Sequence, residues 1–187
     1  MKKLFVAALM MVSSVAVFAQ HSAGSVSIQP KVGGTLTSIV GDDTSNAEMK
    51  FGIVSGVELE YQATDMIGIA AGVNYSMQGA SIKTPDLKLK FENLNIPIIA
   101  NFYVAKNFAL KLGVQPGFLL NAKSDKLDVK SAYKTFDLSI PVGASYEIDD
   151  FVIDARYNFG VTNILDTDAQ SQRNSVIQLT LGYKFDI

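Results

Sequence analysis

The sequence predicts an all-β chain, folded as an eight-stranded antiparallel up-and-down transmembrane β-barrel. Three observations predict it. Apolar and polar residues alternate through run after run, which sends successive side chains to opposite faces of a strand. The apolar set carries large aromatics, while the opposite set is Gly, Ser, Asn, Gln and charges; that polarity suits lipid outside and a packed polar interior. The connections alternate in length, as the short periplasmic turns and longer outer loops of outer-membrane barrels do.

The first twenty residues read as an address. Lys2 and Lys3 form a positive start, Leu4 to Phe18 is apolar, and Val17-Phe18-Ala19 offers a cleavage site before Gln20. This is the pattern of a Sec signal peptide cut after Ala19, so 1–19 is assigned to the leader and 20–187 to the barrel domain. Losing Lys2 and Lys3 moves the formal charge from −2 to −4. A mildly acidic chain gives no electrostatic case for nucleic acid. There is no Cys and one His, His21, which excludes disulfides, thiolate metal sites and any two-histidine site. Mean hydropathy is +0.21, yet no stretch beyond the leader is long and apolar enough for a membrane helix. The apolar content must therefore lie on strands.

The first strand, Ser25 to Leu36, sets Val26, Ile28, Pro30, Val32 and Leu36 against Ser27, Gln29, Lys31 and Thr35. A polar loop, Gly41 to Asn46, follows. The second strand, Phe51 to Gln62, opposes Phe51, Ile53, Val57, Leu59 and Tyr61 to Gly52, Gly56, Glu58, Glu60 and Gln62. After a tight Thr64-Asp65 link the third, Ile67 to Gln78, repeats the code, and a polar loop runs from Gly79 to Asp86. The fourth, Leu87 to Tyr103, starts with Leu87, Leu89 and Phe91 on the apolar face and then shifts phase to Leu94, Ile96, Ile98, Ala100 and Phe102. A β-bulge near Asn93 would produce that slip.

The clearest alternation is in the fifth strand, where Phe108, Leu110, Leu112, Val114, Pro116, Phe118 and Leu120 share a face. A charged loop runs from Ala122 to Lys134. The sixth strand is Thr135 to Ile148, the seventh Phe151 to Thr162 after the short Asp149-Asp150 turn, and the eighth Asn174 to Phe185. Long connections follow the odd strands, which puts the N-terminus in the periplasm. Tyr61, Tyr103, Tyr146, Phe108 and Phe151 gather at the short-turn ends, the position of an aromatic girdle. An even strand number closes the sheet without an edge, which a bilayer requires.

Several stretches carry a resemblance: Leu94-Asn-Ile-Pro-Ile98, Leu112-Gly-Val-Gln-Pro-Gly-Phe118, Ile140-Pro-Val-Gly-Ala144, Ala155-Arg-Tyr-Asn-Phe-Gly160 and Leu181-Gly-Tyr-Lys-Phe185. They are similar to the small outer-membrane β-barrel ("porin family") proteins of Bacteroidetes, whose relatives include an export-linked barrel. The resemblance implies the fold and an outer-membrane location, and it implies no activity. Family barrels often stop on the final aromatic, whereas Asp186 and Ile187 follow Phe185 here.

The inward charges are the candidate functional residues: Glu58, Glu60, Lys88, Lys90, Lys111, Asp137, Asp154, Arg156 and Lys184, with Lys31, Glu92 and Glu147 on the same side. In a low-dielectric lumen they must pair or cost several kcal/mol each. Two readings stay open, a hydrogen-bonded plug of ion pairs and a narrow selective pore. Eight strands leave an interior about wide enough for side chains alone, which argues against a wide porin. Glu58 and Glu60 are spaced for acid–base work, but matching lysines across the lumen is the commoner fate of such a pair. The single His, His21, lies ahead of the first strand, which argues against a Ser-His-Asp site. Asp42, Asp43, Asp125 and Asp128 lack EF-hand spacing and read as solvated loop charge.

The expectation is a non-enzymatic outer-membrane protein, without cofactor or metal, acting structurally or through its extracellular loops. A narrow ion channel and a soluble periplasmic lipid carrier are the alternatives. Expected partners are outer-membrane lipid, the barrel-assembly machinery and a protein at the loops.

Overall fold

The computed structural model describes residues 22–41, 47–82, 87–124, 127–165 and 171–187. The leader, His21, Asp42, Asp43 and Asp125 lie outside these residues. The strands are β1 (Val26–Gly41), β2 (Ala47–Thr64), β3 (Ile67–Ile82), β4 (Leu87–Asn95), β5 (Ile98–Ala105), β6 (Phe108–Ser124), β7 (Leu127–Asp128), β8 (Phe136–Ile148), β9 (Phe151–Gly160), β10 (Gln172–Tyr183) and β11 (Phe185–Asp186).

They make an antiparallel ring of eight staves. β4 with β5 forms one stave and β10 with β11 another, while β7 is a short addition to β6 at the loop end. β1 closes the ring, pairing with β2 on one side and with β10 and β11 on the other. Asp186 extends this closure against Ser27, and the Ile187 amide donates to the Val26 carbonyl at 2.8 Å. Pro97, which has no N–H, interrupts the fourth stave. The wall holds there because Ile96 N–H donates to Pro116 O at 2.8 Å and Gly72 N–H donates to Pro97 O at 3.0 Å.

β1, β2, β3 and β6 run longer than the alternation suggests, chiefly at the loop end, whereas β8 and β9 stop slightly short of the expected bounds. β2 has 18 residues. A tilted strand needs about 9–11 to cross the hydrocarbon. The ring therefore stands out of the bilayer on the loop side. At the other end the turns are tight: Asp149 takes φ 51°, a left-handed conformation that Asp tolerates, between β8 and β9.

The outward positions form an apolar coat, with Ile53, Leu59, Leu112 and Leu179 each at least half exposed. In water such a coat would drive aggregation; in lipid it matches the surroundings. Aromatic pairs sit on it near both rims, Phe118 against Phe136 and Phe151 against Tyr183, with ring centroids 5.7 and 5.1 Å apart.

The expected phase slip in the fourth stave does not occur. Leu89 and Phe91 are buried inside, followed on the same face by Asn93 and Asn95. Lys90 therefore points outward and is exposed, and Glu92 lies on that same outer face. The bulge falls on the partner strand: Glu92 pairs with Asn121 and Asn93 with Leu119, so Leu120 of β6 is the extra residue. The physical reason is the overhang. Above the hydrocarbon the outer face meets water and suits Lys90, while the inner face is covered by a loop and suits Leu89 and Phe91.

Candidate functional site: the lumen and its outer mouth

The interior is built in layers. Nearest the short turns, β2, β5, β8 and the end of β10 bring together Glu60, Tyr103, Glu147 and Lys184. Lys184 Nζ lies 3.0 Å from Glu60 Oε2 and 2.8 Å from Glu147 Oε1. The Tyr103 hydroxyl is 2.8 Å from Glu60 and 3.2 Å from Glu147, and Asn101 donates to Glu60 at 2.7 Å. Tyr103 is thus no part of a lipid-facing girdle: it is 8 % exposed and points inward. Its position two residues after the buried Asn101 dictates this, since strand phase outranks side-chain type.

The next layer centres on Arg156. Its guanidinium forks onto Glu58 at 2.7 and 2.8 Å and reaches Asp154 at 2.7 Å. Lys31 pairs with Glu58, and Lys111 Nζ stands 2.9 Å from Asp154. Across both layers the cations Lys31, Lys111, Arg156 and Lys184 face the carboxylates Glu58, Glu60, Glu147 and Asp154. All of them are buried, so deleting one would leave the network with a net charge in low dielectric.

Small residues make this density possible. A Cβ on Gly68 would come within 2.1 Å of Glu60 Oε1, and one on Gly56 within 2.2 Å of Asn74 Oδ1. Above the ions lies a mainly uncharged polar layer, at whose upper edge Lys50 Nζ donates to the Leu89 carbonyl. Asn93 donates to Gln78 at 2.9 Å, Thr37 Oγ1 to Gly79 O at 2.7 Å, and Gln115 to Ser139 at 3.3 Å. On one flank, Gln29 Nε2, Asn74 Nδ2, Asn158 Oδ1, Gln178 Nε2 and Thr180 Oγ1 are buried without a protein partner.

The outer mouth is apolar. Ile39, Leu89, Phe91, Leu119, Ala122 and Ile164 form a buried cluster, with Val129 and Tyr133 packed on it. These last two come from the loop around the 3₁₀ turn Lys130–Ala132, which folds over the opening. Tyr133 bridges to Leu165 and sets its ring edge against Phe91, centroids 4.8 Å apart. That burial raises the Tyr133 phenol pKa. Beside this cluster is a small cavity of about 20 Å³, lined by residues that include Phe91, Asn93, Tyr133, Asp137 and Asn174.

The structure brings Glu58, Glu60, Lys111, Asp154, Arg156 and Lys184 together in one network, which Lys31 and Glu147 complete. Asp137 stands apart at the mouth, where Asn174 donates to it at 3.2 Å. Lys90 is outside the lumen, and the Lys88 side chain lies outside the described part of the molecule. Glu58 and Glu60 are held by different cations, Arg156 with Lys31 and Lys184 respectively, so they do not act as a carboxylate pair. Among the described residues no group of three or more His, Cys, Asp or Glu is placed to hold a metal.

Residues 18–166 match the family described as outer membrane protein beta-barrel domain. Among solved structures, the attachment invasion locus protein Ail of Yersinia pestis aligns at 19 % identity over 87 % of this chain and 99 % of its own, with a TM-score of 0.54. Neisserial surface protein A aligns at 16 % identity over 86 % and 97 %, with a TM-score of 0.59. OprG of Pseudomonas aeruginosa aligns at 15 % identity over 90 % and 99 %, with a TM-score of 0.52. At these identities the likeness is one of fold. No curated protein sequence matches the chain.

Proposed function

The chain belongs to the outer membrane protein β-barrel domain family, and from that premise we propose that it is a closed, non-conducting barrel that works through its outer loops. The observation that carries this reading is the filled lumen: two ion-paired layers, a hydrogen-bonded polar layer and an apolar cap lie one above another. An ion crossing it would have to break buried pairs of opposite charge, each held by hydrogen bonds of 2.7–3.0 Å. The working surface is then the loop end, where the strands stand out of the bilayer. In this reading the leader 1–19 is removed on export, the barrel-assembly machinery inserts the remainder, and no reaction is catalysed. The narrower kinship with Bacteroidetes porin-family barrels belongs to the same proposal.

One neighbour of the same fold, Ail, has been crystallised with the heparin analogue sucrose octasulfate. The loop from Ala122 to Lys134 mixes Asp125 and Asp128 with Lys123, Lys126, Lys130 and Lys134, so its charge is of both signs rather than uniformly basic. A protein partner fits this mixed surface better.

A narrow channel is the second reading. It is favoured by the unpartnered polar atoms of Gln29, Asn158, Gln178 and Thr180, which line one flank as a wetted path would. Planar-bilayer recording of the refolded barrel, with the heat-dependent gel shift as a folding control, separates the two. The closed barrel gives no unitary steps. Steady conductance that changes selectivity on Lys111→Glu would overturn it in favour of the channel.

A further inference from the structure

The outer face of β4 and β6 carries two adjacent cations that no described residue engages. Lys90 of β4 and Lys123 of β6 are direct partners across the ladder. Their chain neighbours Phe91 and Ala122 are buried inside the mouth, so both lysines stand on the outside, and both are exposed. Among the described residues neither makes an ion pair or a hydrogen bond through its side chain. Directly opposite side chains have Cβ atoms about 4.5–5.5 Å apart, and like charges so placed repel. The acid on the same face, Glu92, accepts a hydrogen bond from the Tyr75 hydroxyl and pairs with neither lysine. On its other side Lys90 faces Gly79, which carries no side chain, while Lys123 faces Asp128.

We propose that this pair holds the phosphate of an outer-leaflet lipid headgroup, with the acyl chain lying on the apolar coat below. The height fits. Lys90 lies four residues up β4 from Leu94, which pairs with Phe118 of the aromatic rim. At about 3.3 Å per residue and a tilt of about 40°, that is roughly 10 Å above the rim. The headgroup layer is about 5–8 Å deep, and lysine stems reach back along the wall towards it. The charge fits as well. A phosphate between two ammonium groups replaces one repulsion with two attractions, and a lysine near an anionic leaflet gains from it. The wall below fits the rest: Leu120 and Phe118 of β6 are exposed beneath the pair and offer apolar surface to the chain. A free phosphate would meet the same cations and leave that surface unused. The inference needs only the barrel's place in the bilayer, so it stands whether or not the lumen conducts.

The test places the isotope-labelled barrel in phosphatidylcholine nanodiscs, replaces a growing share of that lipid with phosphatidic acid, and reads the backbone amides by NMR. The Lys90 and Lys123 amides should shift and saturate, while inorganic phosphate added to phosphatidylcholine discs should not saturate them. Lys90→Gln should weaken the response about fivefold, the worth of one lysine at an anionic surface. Lys90→Arg should keep it, and Lys123→Gln should weaken it less, because Asp128 already faces that lysine. Arg173, an exposed cation on β10 that pairs with Val40, reports the general effect of a charged surface. No saturable shift at the two lysines, equal saturation by inorganic phosphate, an equal response at Arg173, or unchanged affinity in Lys90→Gln overturns the proposal. If Lys90→Gln does not fold by gel shift, Lys123→Gln decides: an unchanged curve there overturns the assignment.

Discussion

Replacing Arg156 by Met removes the centre of the ionic layer. Three charge-assisted hydrogen bonds disappear, two to Glu58 at 2.7 and 2.8 Å and one to Asp154 at 2.7 Å. Breaking a buried pair by deleting one partner costs about 3–5 kcal/mol. Here neither carboxylate is left alone, because Lys31 still holds Glu58 and Lys111 still holds Asp154. The loss should therefore fall at the lower end, about 3 kcal/mol. Arg156→Lys keeps the charge but gives up the fork, so it should cost about 1–2 kcal/mol. Reversible urea unfolding in lipid vesicles, followed by the folded and unfolded bands on an unheated gel, measures both. A loss below about 1 kcal/mol for the Met variant, or equal losses for Met and Lys, refutes the claim that this cation is a paired, geometry-specific element of the plug.

The same assay checks three further expectations. Tyr103→Phe deprives Glu60 and Glu147 of a shared donor and should cost about 1–2 kcal/mol; no change would mean that the hydroxyl is not engaged. Lys90→Ala should alter stability by no more than about 0.5 kcal/mol, because Lys90 is exposed on the outside, whereas Lys111→Ala should cost about 3 kcal/mol. Equal effects would restore Lys90 to the lumen. Gly33→Ala places a Cβ 2.0 Å from the Leu179 carbonyl oxygen, in the pairing that closes the ring, and should cost about 2 kcal/mol or more. A neutral result would show that the closure yields easily.

Most of the architecture was legible because lipid enforces one rule over a strand's whole crossing. Where Leu110, Leu112 and Val114 face lipid, Lys111 has only the lumen to enter. Legibility ended where the lipid did. Leu89 and Phe91 look like lipid-facing residues, and only the loop carrying Val129 and Tyr133, together with Ile164, makes the inside of the mouth the apolar side. Alternation within β4 never breaks; what changes is the medium on each side of it. Tyr103 shows the opposite failure. The phase of Phe102 implies that its neighbour turns inward, whatever the aromatic side chain suggests. The grouping of charges into two layers was out of reach for a different reason. Which carboxylate meets which cation depends on chords across the ring, such as Glu58 to Arg156, that join staves with no hydrogen-bonded contact.

The network of four bases and four acids has one more consequence. A membrane voltage does work on a protein in proportion to the net charge that moves through the field, at about 2.3 kcal/mol per charge per 100 mV. Within this network the fixed charges cancel, so sliding it as a unit along the axis transfers nothing. A potential across the outer membrane, however it arises, has no handle on this network so long as its pairs move together.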